Sequence, residues 1–555
     1  MKLSRVYFAI SLLVVSAALA STAAGVDVCD TVNLYECPVG DGEGTTLVES
    51  CLDCAGKTFA DEQHMLCAER NMFSGDEHYH YLGLDIVGAL VFMVTAGVAT
   101  ACGVGGGGIY MPLGILLLGF SAKSSSGLSQ ASMFGTSMGG LLLNFVAKHP
   151  NTRITASNVG AAADADEKNP TFYSRPLIDY DMVMFLAPME MAGATLGVLV
   201  QKVLPDWLYV GVASVVLALT SWKTFQTYCK KRNEEVAAEA VDAADAGAGA
   251  DGSSRAISAS EVVVGTVGEG SGDVELASAA ADQDQDEDKS AAVSWKSYTD
   301  VAVVEPAELT TAQLVTQVTF LEQDATQFPV DNLLALALLW AVMVLMTFLK
   351  GGKGVKSMVD VTCSDASYPV LIIVQFFWLF GFSTYYALRI VRGREARLAV
   401  QYPFTSTDVV WDKKMTLFCV GLSFGVGIIA GLIGIGGALV LGPLLIMLGF
   451  DARLSAAVTS TMVVLTSSYV GLMYVITGYV PVSYFVLYFS VCLVGAYFGK
   501  RCIDAYVKRT NTASTLVCIL AAIIALATVG CLVTLFIRLE DRNFCLDGFQ
   551  PFCVE

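Results

Sequence analysis

The sequence predicts an all-α polytopic membrane protein of about twelve transmembrane helices in two inverted repeats (5+2+5) with glycine-broken helices. Three observations predict it. The 555 residues are 54% hydrophobic and only 15% charged, with mean hydropathy +0.59, which is too apolar for a soluble chain of this size. Apolar segments recur near 84–102, 104–120, 126–147, 180–203, 206–228, 331–349, 368–390, 415–433, 436–450, 455–478, 482–499 and 513–537, two of them short. Two of these segments are interrupted by glycine in the same way.

At the N-terminus, Lys2 and Arg5 precede an apolar run from Val6 to Leu19 that ends on the small residues Ala18-Leu19-Ala20. This is the pattern of a secretory signal peptide, residues 1–20, with an uncleaved anchor as the alternative. Residues 21–80 form a polar head with Cys29, Cys37, Cys51, Cys54 and Cys67. Facing an oxidising lumen, these are disulfide candidates. Cys51-x-x-Cys54 with His64, His78 and His80 is a zinc alternative, but its spacing completes no four-ligand pattern, and no metal or cofactor is assigned. Five thiols cannot all pair among themselves. Cys363, Cys545 and Cys553 bring the number on that side to eight if every segment spans once.

Charge sets the orientation and locates the insert. The basic clusters Lys148 with Arg153, Lys230 to Arg232, Arg389 to Arg397, Lys413 with Lys414, and Lys500 to Arg509 then share the cytosolic side. Both termini lie outside. Lys350, Lys353 and Lys356 fall on the outer side, where snorkelling at a helix end accommodates them. The formal charge of −19 arises from 33 basic against 52 acidic residues, a balance that excludes a nucleic-acid partner. Most of it sits between Asn233 and Gln327, where 20 acidic residues face Arg255, Lys289 and Lys296. That composition cannot bury a core, so 229–328 is expected to be an acidic, disordered cytosolic loop. Around it lie a first membrane repeat (81–228), two connecting helices (329–395), a second repeat (396–538) and a Cys-containing extracytosolic tail (539–555).

The two interruptions, Gly103-Val-Gly-Gly-Gly-Gly-Ile-Tyr-Met-Pro112 and Gly434-Ile-Gly-Gly-Ala-Leu-Val-Leu-Gly-Pro443, align residue for residue. After one gap the match resumes, Gly119-Phe120-Ser-Ala-Lys123 against Gly449-Phe450-Asp-Ala-Arg453, and a hydroxyl-rich helix follows each. By the topology above, the copies enter from opposite sides. Inverted copies broken by Gly and Pro point to a secondary transporter with its site near the bilayer midplane. Glycine lets the backbone leave helical angles, and a helix restarting after the break offers unpaired N–H groups and its positive dipole end, which suit an anion. Tight helix packing is the structural alternative for a single Gly-rich stretch. The expected binding residues are Gly105, Gly106, Gly107, Ser129, Gly436, Gly437, Thr459 and Ser460. Glu190, the one carboxylate well inside a span, is a proton-coupling candidate, with helix packing as a protonated side chain as the alternative. Asn144 and Gln375 are weaker polar candidates that suit bridging between helices.

These motifs, with Pro188-Met189 and Pro205-Asp206-Trp207, resemble the sulfite exporter TauE/SafE family, particularly its plant-like members with a long central loop. The resemblance covers nearly all membrane segments and omits the signal sequence, the Cys-rich head and the acidic insert. It implies a permease for sulfite or a small organosulfonate, with another small carboxylate or sulfur anion as the alternative. Gly106-Gly107-Gly108 departs from Gly437-Ala438-Leu439 in the second copy, which leaves open whether both helix ends bind equally. The expected partners are a small anion, possible coupling to protons, and the lipid bilayer. A receptor using the Cys-rich head is the first rival. A membrane-embedded enzyme is the second, and the spans offer it no His and no paired carboxylates.

Overall fold

The computed structural model describes short strands between residues 35 and 68, and then residues 82–101, 105–120, 122–148, 154–155, 172–173, 175–248, 310–351, 357–359, 365–402, 411–448 and 452–510. It adds positions 361, 404 and 450 and scattered positions from 518 to 536. Residues 231–294 form one unit, and 1–230 with 295–555 form the other, which holds every element below except the far end of α5. The signal-peptide residues, Cys29, Cys51, Cys54, Cys363, Cys545 and Cys553 lie outside the described residues.

The head contains β1 (Tyr35–Pro38), β2 (Thr45–Val48), β3 (Phe59–Asp61) and β4 (Leu66–Ala68) in one sheet of order β2-β1-β4-β3. β1 runs parallel to β4 with Glu36 beside Leu66, so positions 37 and 67 are neighbours in register. A second pair, β5 (Ile154–Thr155) with β6 (Phe172–Tyr173), follows the third helix. These six short strands all lie outside the apolar segments.

The helices are α1 (Leu82–Ala101), α2 (Gly107–Leu116), α3 (Ala122–Asn144), α4 (Tyr180–Val203), α5 (Asp206–Ala248) and α6 (Thr311–Ala325). They continue as α7 (Val330–Lys350), α8 (Ser367–Ala399), α9 (Lys413–Ile433), α10 (Ala438–Met447), α11 (Ala452–Ile476) and α12 (Val482–Thr510). Among the described residues eight helices are long and apolar enough to cross a membrane. α3 has the length but not the hydropathy, because its hydroxyl-bearing face is inside the protein. Ser125, Ser126, Ser129, Ser132, Thr136 and Ser137 are all buried. Part of the cost is offset within the helix, where Ser132 donates to Leu128 O at 2.9 Å and Thr136 to Ser132 O at 2.8 Å. For the twelfth apolar segment there is one short helix, Ile524–Val533.

The insert is narrower than expected. α5 continues helical to Ala248, and α6 opens with a capping box in which Thr310 N–H donates to Gln313 Oε1 at 3.0 Å. Expected as loop, these flanks are helical: the first continues α5 without a break, and the second is capped at Thr310.

Side-chain contacts fix the direction of each helix. Call lower the end where α1 begins. There Tyr484 at the start of α12 donates to Asp85 at 2.7 Å and stacks edge-on against Phe120 between α2 and α3. At the upper end Lys500 of α12 donates to Asn144 of α3 at 2.9 Å. α1, α3 and α12 therefore run upward together. α9 and α11 run downward, α11 carrying Ser460 beside Gly140 near the top and Tyr474 bonded to Ser126 near the bottom. The chain segments that contain α2 and α10 thus enter the bundle from opposite ends. The basic ends of α3, α8 and α12 and the start of α9 all lie at the upper end.

Two backbone-to-backbone helix pairs hold the bundle. A Cβ on Gly193 or Gly197 of α4 would strike the carbonyls of Phe424 or Ile428 of α9, and one on Gly427 would strike Glu190 O. In the same manner Gly495 of α12 lies on Met93 O, and Gly499 on Gly97, of α1. Packing therefore explains these glycines. Gly193→Val is expected to wedge α4 from α9 and cost about 3 kcal/mol, read as a lowered thermal midpoint of the purified protein in detergent. Gly211→Ala, with nothing within 4 Å of its Cβ, is the matched control that should not lower the midpoint.

Candidate functional site

α2 and α10 are each ten residues long. At 1.5 Å per residue each covers about 15 Å, half of a hydrocarbon core. Their bounds are equivalent in the aligned motifs, and Pro112 and Pro443 both stand at the sixth position. α10 begins deep inside, after a break in which Gly434 (φ 74°) caps α9 and Gly436 (φ 73°) turns the chain. α2 begins on Gly106 (φ 75°), with no side-chain cap. Only glycine takes these left-handed angles without strain.

The two breaks touch. A Cβ on Gly107 would fall on the carbonyl of Ile435, and Met133 Sδ of α3 lies against both Gly107 and Gly436. The carbonyls freed where α9 stops are satisfied by neighbouring hydroxyls. Tyr209 of α5 donates to Ile433 O at 3.2 Å, and Ser129 donates to Gly434 O at 2.7 Å, with Gly107 O at 3.4 Å from the same Oγ. Irregular backbone at membrane depth needs such partners. Ser129 is thus at the crossing, but its hydroxyl joins the two breaks.

The helix starts are unequal. At α10, Glu190 Oε1 of α4 lies where a Cβ on Gly437 would be, and Thr466 of α11 donates to the same oxygen at 3.3 Å. Glu190 is 1% exposed, and Oε2 has no hydrogen-bond partner. Beside it lies a cavity of about 10 Å³, lined by Gln130, Glu190, Gly436, Gly437, Thr466 and Ser467 among others. That is room for one water molecule. At α2, by contrast, Tyr110 hydroxyl is bonded to Thr136 at 2.6 Å, and its ring is stacked on Phe92 at 5.1 Å.

Of the expected binding residues, the structure gathers Gly106, Gly107, Ser129, Gly436 and Gly437 at the crossing. Gly105 flanks it, near Ser137 and Val463. Thr459 and Ser460 stand apart. Thr466 is seven residues further down α11, about 10 Å, and Thr459 Oγ1 donates to Ser455 O at 2.7 Å. The α11 residues at the crossing are Val463, Thr466, Ser467 and Val470. Their i, i+3, i+4 and i+7 spacing marks one helical face, so Thr459 lay on the right stripe but two turns too high.

One sequence expectation changes. Lys350 does not snorkel: it is 6% exposed and donates to Gln375 Oε1 at 2.6 Å. Gln375 in turn donates to Tyr469 hydroxyl at 2.5 Å and Thr195 Oγ1 at 3.2 Å, bridging α7, α8, α11 and α4. Gln375 Oε1 offers the lysine an acceptor inside the bundle, where snorkelling would have carried it to the interface. Among the described residues the crossing is a close contact around Met133, adjoined by the water-sized cavity beside Glu190.

Aromatic layers separate the crossing from both ends. Above it, Trp411 meets Phe185 at 5.1 Å and Phe450 at 5.7 Å. Below it are Phe120, Tyr484 and Tyr488. Phe120 and Phe450 are equivalent positions in the two motifs.

Residues 324–528 match the family model Sulfite exporter TauE/SafE. Sulfite exporter TauE/SafE family protein 3 of Arabidopsis thaliana is 24% identical over 474 residues, 84% of this chain and 82% of that protein. Family protein 5 of the same plant is 23% identical over 446 residues, 80% of this chain and 81% of its own. No solved structure matches.

Proposed function

From a chain whose residues 324–528 match the TauE/SafE family model and that resembles plant members of that family along at least 80% of its length, we propose a secondary transporter. It moves a small sulfur oxyanion or organosulfonate by alternating access of its two halves. The observation that carries this is the contact between two half-helix starts at Gly107 and Ile435, reached from opposite ends of the bundle.

The chemistry follows from what occupies α10. A helix start favours negative charge, and here the group provided is the carboxylate of Glu190. When ionised, Glu190 holds that position itself and repels an incoming anion. Once protonated it ceases to compete, and its O–H becomes a donor to the guest. Anion and proton then bind together, and Thr466 and Gln130 supply further polar contacts. Met133 must swing aside, which an unbranched thioether does easily. Opening then requires one aromatic layer to part while the other stays shut, because the helices are rigid and the breaks are hinges. The basic clusters at the upper end support its assignment to the cytosol, and the signal-peptide pattern supports a membrane of the secretory route.

The test is flux in proteoliposomes across sulfite, sulfate, sulfoacetate and taurine, with and without a pH gradient. Uptake of at least one sulfur anion, steeper with an inward proton gradient, is the expected result. Absence of flux for all four with folded protein in the membrane would overturn the proposal.

A further inference from the structure

A second, larger cavity of about 210 Å³ opens at the upper end, above the Trp411 layer. Its wall carries Arg175, Arg394 and Arg397, with Tyr402, Asp179 and Asp324. Asp324 comes from α6, the last helix of the acidic insert. Both of its oxygens are held: Arg397 Nη2 donates to Oδ1 at 2.7 Å, and Tyr402 hydroxyl donates to Oδ2 at 2.7 Å. Arg175 Nη2 in turn donates to Tyr402 hydroxyl at 2.6 Å. A planar, two-oxygen anion is thus gripped by a guanidinium and a phenol.

Arg394 has weaker company. The carboxylate it faces is Asp412 at 4.0 Å, a group more than half exposed, and Arg394 Nε is buried without a hydrogen-bond partner. The other acids are engaged elsewhere. Asp179 accepts from Met182 N–H at 3.1 Å, and Asp181 accepts from Asn332 at 3.3 Å.

α6 brings Asp324 here by packing. Leu321 is buried against Val400 and Tyr402, Phe320 lies 5.7 Å beneath the Arg397 guanidinium, and Gln317 donates to Gln401 O at 2.8 Å. Each of these contacts is modest, and none crosses to another helix pair. α6 is held here by the end of α8 and the turn after it, with a further contact to β6.

We propose that this upper cavity is an oxyanion-binding vestibule on Arg394, Arg397 and Tyr402, and that Asp324 is its tethered competitor. With α6 docked, the insert's own carboxylate fills the place of the guest. When a sulfur oxyanion binds, it displaces Asp324 from Arg397 and Tyr402. The identity of the anion rests on the transport reading above, whereas the competition does not.

Protonation acts in the same direction. Burial, with the charge of Asp181 next, pushes Asp179 up to about 6. The groups facing it are Asp181 on its own helix, Asp324 on α6 and Arg397 on α8. As pH falls through 6 the wall loses one negative charge, so oxyanion affinity rises.

Sulfate, which does not titrate in this range, is the probe. Its binding is measured calorimetrically on the purified full-length protein in detergent, at pH 7.5 and 5.5. Asp324→Asn should tighten sulfate binding by about 5-fold or more, the scale of a typical coupling. Arg394→Gln placed in that background should abolish the gain. Unchanged affinity in Asp324→Asn would overturn the proposal, whether or not thermal stability falls, because Asp324 would then be a structural pair only. A gain that survives Arg394→Gln would overturn it too, by locating the anion elsewhere. The transport proposal fails on a different readout, flux, so wild-type protein that binds sulfate but moves no anion would sink that one alone.

Discussion

Gly107→Ala is expected to abolish anion flux and to lower stability by about 3 kcal/mol. One methyl group does this because the atom it meets is backbone. The Cβ would lie on the Ile435 carbonyl, and the other neighbour, Met133 Sδ, can move while that carbonyl cannot. Ile435 stands between Gly434 and Gly436, both in left-handed conformation, so a push on it is passed directly to the second break. Gly105→Ala is the comparison within the same motif. Its Cβ would find Ser137 Oγ at 3.3 Å and Val463 Cγ1 at 3.4 Å, tight but side-chain contacts. Flux should survive there. Labelled-sulfite uptake, with thermal midpoints for both variants, checks the pair. Equal loss at both positions would mean that the motif is merely crowded, and retained flux in Gly107→Ala would remove the crossing from the transport path.

Glu190→Gln is expected to separate anion movement from the proton. The amide keeps the shape and the contact with Thr466 but cannot release a proton or repel the guest. Coupling of one proton per anion yields about tenfold accumulation per pH unit, since one unit is worth about 1.4 kcal/mol. In the variant that gradient-driven accumulation should fall to none, while exchange of anion down its own gradient persists and becomes insensitive to pH. Accumulation measured at several imposed pH differences decides it. A slope like that of the wild type would return Glu190 to a packing role and move the coupling group elsewhere.

The apolar segments, the glycine breaks and the buried carboxylate were all legible in the chain, because each is a strong local signal. Glycine at 106 and 436 is demanded by a backbone angle, and Glu190 stands out against an apolar helix. What the sequence did not reveal was which hydroxyls meet. Ser129 and Thr459 occupy aligned positions, yet the first joins the two breaks and the second bonds its own helix. Their difference arises from the depth at which α3 and α11 pass the crossing, a tertiary quantity. Met133 carries no signal of its own in the sequence, and its position between two glycines is visible only in three dimensions. Lys350 was misplaced for a similar reason. Nothing local to it announces that Gln375, 25 residues away, will offer an oxygen. The arginine cavity was split among sequence segments that composition alone assigns to a cytosolic fringe.

The glycine pairs that lock α4 to α9 and α1 to α12 join the first helix of each half to the fourth helix of the other. During synthesis, α4 therefore emerges long before its partner exists, and the acidic insert is translated in the interval. The membrane must shelter a half-built bundle whose closest mates are still in the ribosome. A chain stopped before α9 would leave the small-residue groove of α4, at Gly193 and Gly197, facing lipid.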